Sequence, residues 1–302
     1  MFKFEREQQI FDIAGVRVGG QPGQLPTVMI GSIFYGRHKI LKDEKTGEFS
    51  KEEAEDLLNK EEEISGKTGN PRIVDICCAW PQAFGKLIDY VAEKVDGPFA
   101  IDGTTEEARI AGARYVGEVG LSGRVVYNSI MPHIREAEVS AIREAKIKSA
   151  VLLTFNSKNP TIAGRMQVLD ELLALASRAG VEKILVDTSV LDIPDPGPVS
   201  KAVYLVKEKY GLPAGAGTHN AVQRWRKTRK LDETLFKIAS SVADVLPIFM
   251  GANFVIYGPI ENASTAYFHC ALADAYIAYT MRQELGTRPL TSNHPLFKIF
   301  RA

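Results

Sequence analysis

The amino-acid sequence predicts an α/β chain closed into a single (β/α)8 TIM barrel, and three observations carry that expectation. Eight short apolar runs recur along the 302 residues, each ending in a polar residue and each followed by a helical pattern. Their starts lie about 25 to 45 residues apart, the length of one strand–helix unit. The first run leads into Gly31-Ser32-Ile33-Phe34-Tyr35-Gly36-Arg37-His38, which is not a glycine fingerprint for a dinucleotide. Alternating units imply a parallel sheet covered by helices. An open doubly wound sheet satisfies the same alternation, and the count of eight favours closure.

The strands are expected at Thr27–Ile33, Arg72–Cys77, Phe99–Ile101, Val125–Tyr127, Ala150–Phe155, Lys183–Val186, Leu212–Ala216 and Asn253–Tyr257. Ahead of the first, Val16–Val18 followed by Gly19-Gly20-Gln21-Pro22-Gly23 suggests that residues 1–26 hold a short hairpin closing the barrel bottom. Barrels of this type run to about 250 residues as one domain, so residues 1–302 read as one domain. Ser50 with Glu53 forms a capping box for a helix over Lys51–Ser65, with Gly66 at its end. Pro81 suits the first turn of Pro81–Lys94, which gathers Phe84, Leu87, Ile88 and Val91 on one face. Thr104 with Glu107 caps the next helix. Further helices follow at Arg165–Arg178, at Ser200–Tyr210 before Gly211, and at Ala263–Glu284.

Composition removes several classes of function. Lys+Arg and Asp+Glu number 37 each, so no net charge draws nucleic acid or an anionic membrane. No apolar run approaches the roughly 20 residues that span a bilayer. Met1–Gln9 is too charged for a signal peptide. Cys77, Cys78 and Cys270 read as free thiols of a reducing cytoplasm. None has the spacing of a metal site, and the His269-Cys270 pair alone is poor evidence for zinc, so no bound metal is expected.

In such a barrel the residues at the carboxyl ends of the strands face the active site. Here they are Ser32, Asp75, Asp102-Gly103-Thr104, Asn128-Ser129, Phe155-Asn156, Asp187-Thr188, Gly215-Ala216-Gly217-Thr218-His219-Asn220 and Tyr257-Gly258-Pro259-Ile260-Glu261-Asn262. Carboxylates, amides and hydroxyls dominate, with almost no cations. A phosphate site would show Arg, Lys or several helix-terminal glycines. A Schiff-base enzyme would place a lysine there, and Lys158 in a loop is the only one near. A metal hydrolase would place histidines on early strands. Asp and Asn suit a flat, neutral heterocycle rich in N–H donors, such as an amino-pyrimidinone edge.

Structural explanations stand beside each of these. Asp102, Asp187 and Asn220 each suit a helix cap, the last for a helix starting at Ala221, and Asn128-Ser129 suits a turn. Asp75 sits inside its strand as a barrel-interior partner. Cys77-Cys78-Ala79-Trp80 reads better as buried apolar packing than as a catalytic thiol. His219 in its glycine-flanked loop serves equally as a loop donor. Arg224-Trp225-Arg226-Lys227-Thr228-Arg229-Lys230 is a solvated helix face, or a patch for an acidic tail or partner.

At these residues the sequence resembles the H-type subunit of the archaeal tetrahydromethanopterin S-methyltransferase and its soluble bacterial relatives, the methylcobamide:tetrahydrofolate methyltransferases. The likeness runs over nearly the whole chain. Met1-Phe2-Lys3-Phe4 with Glu7-Gln8-Gln9, Gly19-Gly20-Gln21-Pro22-Gly23, Ile30-Gly31-Ser32-Ile33-Phe34-Tyr35 and Asp102-Gly103-Thr104-Thr105 carry it. So do Tyr127-Asn128-Ser129-Ile130, Phe155-Asn156 with Asn159-Pro160-Thr161, and Tyr257-Gly258-Pro259-Ile260-Glu261.

The resemblance implies a pterin-binding barrel that moves a methyl group between a corrinoid on a partner protein and N5 of tetrahydrofolate. It implies that Asp102, Asn128 and Asp187 hold the pterin edge and that Asn220 lies near N5, with Asn220 and Asp187 as catalytic residues. Asp75, Ser32, Ser129, Gly215 and His219 would support them. It also implies a homodimer and a corrinoid protein as partner. Where the archaeal proteins carry a Gly-Cys-Gly-Pro type of turn, this chain reads Gly215-Ala216-Gly217-Thr218-His219-Asn220, which points to tetrahydrofolate. The alternatives are the same reaction on tetrahydromethanopterin within an archaeal membrane complex, another pterin-barrel enzyme such as a pteroate synthase, and a non-catalytic member of a complex.

Overall fold

A computed structural model of the chain describes residues 1–190 and 196–300. An antiparallel hairpin, β1 (Ile10–Ile13) and β2 (Val16–Gly19), precedes the first barrel strand, β3 (Val28–Ile33). A second small hairpin, β4 (Leu41–Asp43) and β5 (Glu48–Phe49), leads into α1 (Lys51–Thr68). Strand–helix units then repeat as β6 (Arg72–Cys78), α2 (Pro81–Lys94), β7 (Phe99–Gly103), α3 (Glu106–Glu118), β8 (Val125–Ile130) and α4 (Glu136–Glu144). They continue as β9 (Ser149–Leu153), α5 (Ile162–Arg178), β10 (Lys183–Asp187), α6 (Pro196–Tyr210) and β11 (Ala214–Ala216). Two helices, α7 (His219–Arg229) and α8 (Glu233–Phe249), separate β11 from β12 (Phe254–Pro259). Helices α9 (Ala263–Leu285) and α10 (Pro295–Lys298) end the described chain.

The strands β3, β6, β7, β8, β9, β10, β11 and β12 pair in parallel and in sequence order, and β12 returns to β3 to close the barrel. Inside it, Val28, Ile30, Ile73, Ala100, Val126, Val151, Leu185 and Phe254 form one apolar cluster with Ile13 and Val18 of the first hairpin. These positions lie towards the amino ends of the strands, so the hairpin covers the end away from the polar strand termini. A larger apolar layer between sheet and helices takes in Phe84, Leu87, Ile88 and Val91 of α2, the face that the periodicity selects. Close-packed branched side chains on both sides of the sheet supply most of the stabilisation.

Buried polar groups lock the amino-terminal end. Asp274 of α9 accepts from the Thr27 amide and hydroxyl at 2.8 Å each and from Asn70 Nδ2 at 2.7 Å. Among the described residues no helix is long and apolar enough to cross a membrane.

Local boundaries depart from the sequence-based expectation in ways that matter to the site. Strands β7, β8 and β10 continue beyond their apolar runs, because neighbours pair with the polar residues: Cys77 is opposite Asp102, Asp102 opposite Asn128, and Asp187 opposite Leu153 and Gly215. Asp102, Asn128 and Asp187 are therefore held on strands, which excludes them as helix caps or turn residues. Helix α1 runs past Gly66 and ends at Gly69 in a left-handed conformation, while Ser50 caps its start as expected. Thr105, and not Thr104, caps α3 through the Ala108 amide at 3.2 Å, because the Thr104 amide is tied to the Cys78 carbonyl. Thr161 caps α5, which starts three residues ahead of the expected Arg165. Helices α4 and α8 are additions to the sequence-based reading.

Candidate functional site

A cavity of about 310 Å³ opens at the carboxyl ends of the barrel strands. Ser32 of β3, Asp75 of β6, Asp102 of β7, Asn128 and Ser129 of β8, and Asp187 of β10 line it. His219 and Asn220 at the start of α7 complete the polar lining, while Met131, Leu153 and Ile256 add apolar surface. Polar groups from six separate elements thus meet at one mouth.

Asp75 ties the floor together. Its Oδ2 accepts from Ser32 Oγ at 2.8 Å, and its Oδ1 from Asn128 Nδ2 at 3.1 Å. The Cys77 thiol lies 3.6 Å from one carboxylate oxygen of Asp75 and 3.6 Å from one of Asp102. Burial pushes the Asp75 carboxyl above its ordinary range, against the hydrogen bonds from Asn128, Ser32 and Cys77. Burial and the neighbouring Asp75 charge push Asp102 up to about 8, with the Cys77 thiol and Arg109 opposing. Two like charges so close in a dry floor resist joint ionisation, so the pair holds on to a proton well above the ordinary carboxylate range. Burial, and then the charges of Asp75 and Asp102, also push the Cys77 thiol well up, which makes it a poor nucleophile.

Asp187 is 5% exposed, and its Oδ1 accepts from the Ser189 amide at 2.7 Å. Burial raises it to about 6, against backbone hydrogen bonds from Ser189 and Gly217. The bond to Gly217 places the Gly217–Asn220 loop beside it. A Cβ at Gly217 would stand 3.9 Å from both Asp187 Oδ2 and Asn220 Nδ2, so both side chains face the same spot. Thr218 is fully buried, and its hydroxyl donates to Asp244 of α8, which His269 meets at 2.9 Å on its other oxygen. His219 packs against Gly258, where an added Cβ would come within 2.4 Å of its ring. Burial lowers the His219 pKa, although the Asp244 charge opposes this, so the imidazole is neutral near pH 7. Asn220 is exposed and makes no side-chain hydrogen bond among the described residues. Its position in the first turn of α7, after Thr218 at the cap position, excludes it as the cap of a helix starting at Ala221.

Gly215 alone among the expected supporting residues is absent from the lining. It lies where an added Cβ would meet the Phe254 carbonyl at 2.2 Å, so its part is to let β11 and β12 approach. Thr188 also turns away, donating to the Val199 and Gly215 carbonyls. Arg109 lines the cavity without a sequence signal, since it stands six residues past its strand. Its guanidinium is paired with Glu138 at 2.7 and 3.0 Å and donates to the Gly103 carbonyl. Glu138 also accepts from Tyr127 at 2.5 Å. The one formal cation of the lining among the described residues is therefore neutralised from behind. A divalent ion would find ligand atoms of Asp75, Cys77 and Asp102 all within 4.8 Å of one another, a grouping hidden by their spacing in the sequence.

The arrangement places two carboxyl groups and an amide around a space that Met131, Leu153 and Ile256 also line. It suits a neutral heterocycle with several N–H donors, and among the described residues it lacks an uncommitted cation for phosphate.

Comparison with known proteins sets this geometry in context. Residues 6–290 match the family model described as "Tetrahydromethanopterin S-methyltransferase MtrH subunit". The H subunit of tetrahydromethanopterin S-methyltransferase from Methanothermobacter thermautotrophicus is 40% identical, with 99% of this chain and 100% of the relative covered. The H subunit of the putative methyltransferase mtx from Methanosarcina barkeri is 38% identical over 98% of this chain and 99% of its own length. Among solved structures, dihydropteroate synthase from Xanthomonas albilineans superposes with a TM-score of 0.63 at 15% identity, covering 89% of this chain and 98% of that one. The Yersinia pestis dihydropteroate synthase gives 0.60 at 12% identity, with 89% and 99% covered. At such identities these two likenesses establish the barrel fold alone.

Proposed function

The chain belongs to the MtrH family of tetrahydromethanopterin S-methyltransferase proteins, and from that footing we propose that it moves a methyl group between a corrinoid and N5 of a tetrahydropterin bound in the barrel mouth. One observation carries the reading: Asp102, Asn128, Asp187 and Asn220 line a single cavity of about 310 Å³. Asp102, Asn128 and Asp187 take the amino-pyrimidinone edge, with Asp75 and Ser32 holding Asn128 and the floor behind them. Asn220 reaches N5 from the rim.

The carrier named for the curated relatives is tetrahydromethanopterin. That weighs for it over the tetrahydrofolate first expected from the Gly215–Asn220 turn. Both carriers offer the same donor-rich edge. A pyrophosphate-bearing substrate of the pteroate synthase kind is disfavoured by the Arg109–Glu138 pair, which leaves no cation of the lining uncommitted among the described residues.

In the direction of pterin methylation the N5 lone pair attacks the methyl carbon of the methyl-corrinoid substrate. The new N–C bond forms as the cobalt–carbon bond breaks, cobalt keeps the bonding pair, and the N5 proton passes to solvent. The protein's contribution is alignment and exclusion of water. An amide at Asn220 can accept from N5–H or donate to its lone pair, so it serves either direction. The corrinoid comes on a partner protein that docks over the mouth. For assembly, the reading extends to a homodimer. Leu235, Ile238 and Val242 of α8 and Phe268, Tyr276 and Tyr279 of α9 support it, all at least half exposed on two helices packed side by side.

The test is methyl transfer from methylcobalamin to each carrier, followed in the unmodified protein and in Asn220→Ala. Turnover is expected to fall by about 100-fold in the variant while the Kd for the pterin moves by less than about threefold. Equal turnover by the variant would remove Asn220 from the chemistry. No turnover and no binding of either carrier by the unmodified protein would overturn the function.

A further inference from the structure

A second cavity, of about 400 Å³, adjoins the first and shares Met131 and Leu153 with it. Its walls come from the β8–α4 and β9–α5 connections and from the outer face of α5. Nothing in the methyl-transfer chemistry uses them.

The shared residues set the two cavities side by side, the second lying beyond the acceptor-rich floor towards β9 and α5. Phe155 is half-buried in the second part, beside Leu153, Met131 and the buried Val168. This stretch accepts a flat apolar group. Beyond it the composition changes. His133 and Lys158 lie at the loop side, and Lys158, which is exposed, enters no ion pair among the described residues, although Glu171 of α5 lines the same cavity. The loop carrying Lys158 has built-in shape: Asn156 Oδ1 accepts from the Lys158 and Asn159 amides at 3.1 and 3.0 Å, and Asn156 Nδ2 reaches the Gly164 carbonyl at 3.4 Å. Its ammonium is thus presented on an ordered turn.

Reduced pterin one-carbon carriers are more than their bicyclic ring. The ring bears a side chain with an aryl amine, followed by a polar, anionic end. Resting on the function proposed above, we propose that this second cavity is the side-chain subsite of the carrier. The aryl group lies against Phe155 and Leu153, and the anionic end meets Lys158, with His133 beside it. Gln167 and Glu171 on the helix wall accept hydroxyl or amide N–H groups along the chain. The second cavity orients the ring by its substituent, so that N5 keeps one position while the partner docks above it.

Calorimetry with tailed and tail-less probes tests this on the full chain. Tetrahydromethanopterin and tetrahydrofolate are the tailed probes, and 6-methyltetrahydropterin is the tail-less one. Lys158→Glu is expected to weaken the tailed probes by about fivefold to tenfold, since an exposed attraction is replaced by repulsion. Phe155→Ala is expected to weaken them by about tenfold through lost aryl contact. Binding of 6-methyltetrahydropterin should stay within about twofold in both variants. Lys158 is exposed on a loop, so its variant remains a fair test if Phe155→Ala fails to fold. Tailed affinities unchanged in Lys158→Glu, or equal losses for tailed and tail-less probes, overturn the subsite and leave the pterin reading standing. Failure of the unmodified protein to bind any of the three overturns both.

Discussion

Asp102→Asn separates the electrostatics of the floor from its shape. The amide is nearly isosteric with the carboxyl group, but it neither ionises nor presents two acceptors. Burial and the Asp75 charge push the Asp102 carboxyl up to about 8. A folded-state pKa above the unfolded value means that the folded protein binds more protons across the window between them. Stability from this group is therefore complete below about pH 4 and falls as pH rises towards 8. Because Asp102 is partly open to the mouth, water screens the ion, and the loss expected by about pH 9 is about 2 kcal/mol.

The variant should therefore match the unmodified protein below about pH 4 and exceed it by about 2 kcal/mol at about pH 9 in urea denaturation. Binding should go the other way. A pterin edge offers N–H donors, so Asp102 must ionise against it, and an amide would turn one N–H towards those donors. The expected loss is about 2 to 3 kcal/mol, roughly 30-fold to 150-fold in Kd. On binding, the unmodified protein should release the Asp102 proton, measured by calorimetry in buffers of different ionisation enthalpy, and the variant should release correspondingly less. Equal pterin affinity in the variant, or identical proton release by the two proteins, would refute this account of Asp102.

Two further outcomes concern the scaffold. Asp274→Ala leaves the Thr27 amide, the Thr27 hydroxyl and Asn70 Nδ2 without their buried acceptor, so a loss of about 3 to 5 kcal/mol is expected in chemical denaturation. A loss under about 1 kcal/mol would show that water replaces the carboxylate. Val242 is 63% exposed at the centre of the apolar α8 stripe. Val242→Glu should turn a dimer into a monomer in analytical ultracentrifugation without lowering the melting temperature of the protomer. A monomeric unmodified protein, or a dimer indifferent to the charge, would remove α8 from the interface.

Much of the fold is written in local pattern. A strand whose two faces are both buried reads as an apolar run, and a covering helix reads as a 3.6-residue stripe, so eight units and the buried face of α2 follow from residue order. The chemistry at the strand ends was equally legible, because barrel geometry sends those positions to one mouth whatever the details. Asp75, Asp102, Asn128, Asp187 and Asn220 all appear there. Boundaries were less legible. Strand pairing carried Asp102 and Asn128 into the sheet although neither is apolar, and α8 interrupts the regular alternation with a second helix after β11.

Tertiary structure decided what no spacing encodes. Register puts Cys77 opposite Asp102 and brings Asp75 within reach of both, which is why one carboxyl group holds its proton. The pairing of Arg109 with Glu138, 29 residues away, cancels a charge that the sequence would count as free. The adjoining cavity exists because two loops and α5 converge beside Met131 and Leu153. Residue order by itself determined a parallel βα chain with an acceptor-rich rim, since periodicity and residue chemistry act locally. The ionisation of that rim, its neutralised arginine and the shape of its cavities belong to the closed barrel alone, because electrostatics and packing depend on distances across the fold that register and closure set.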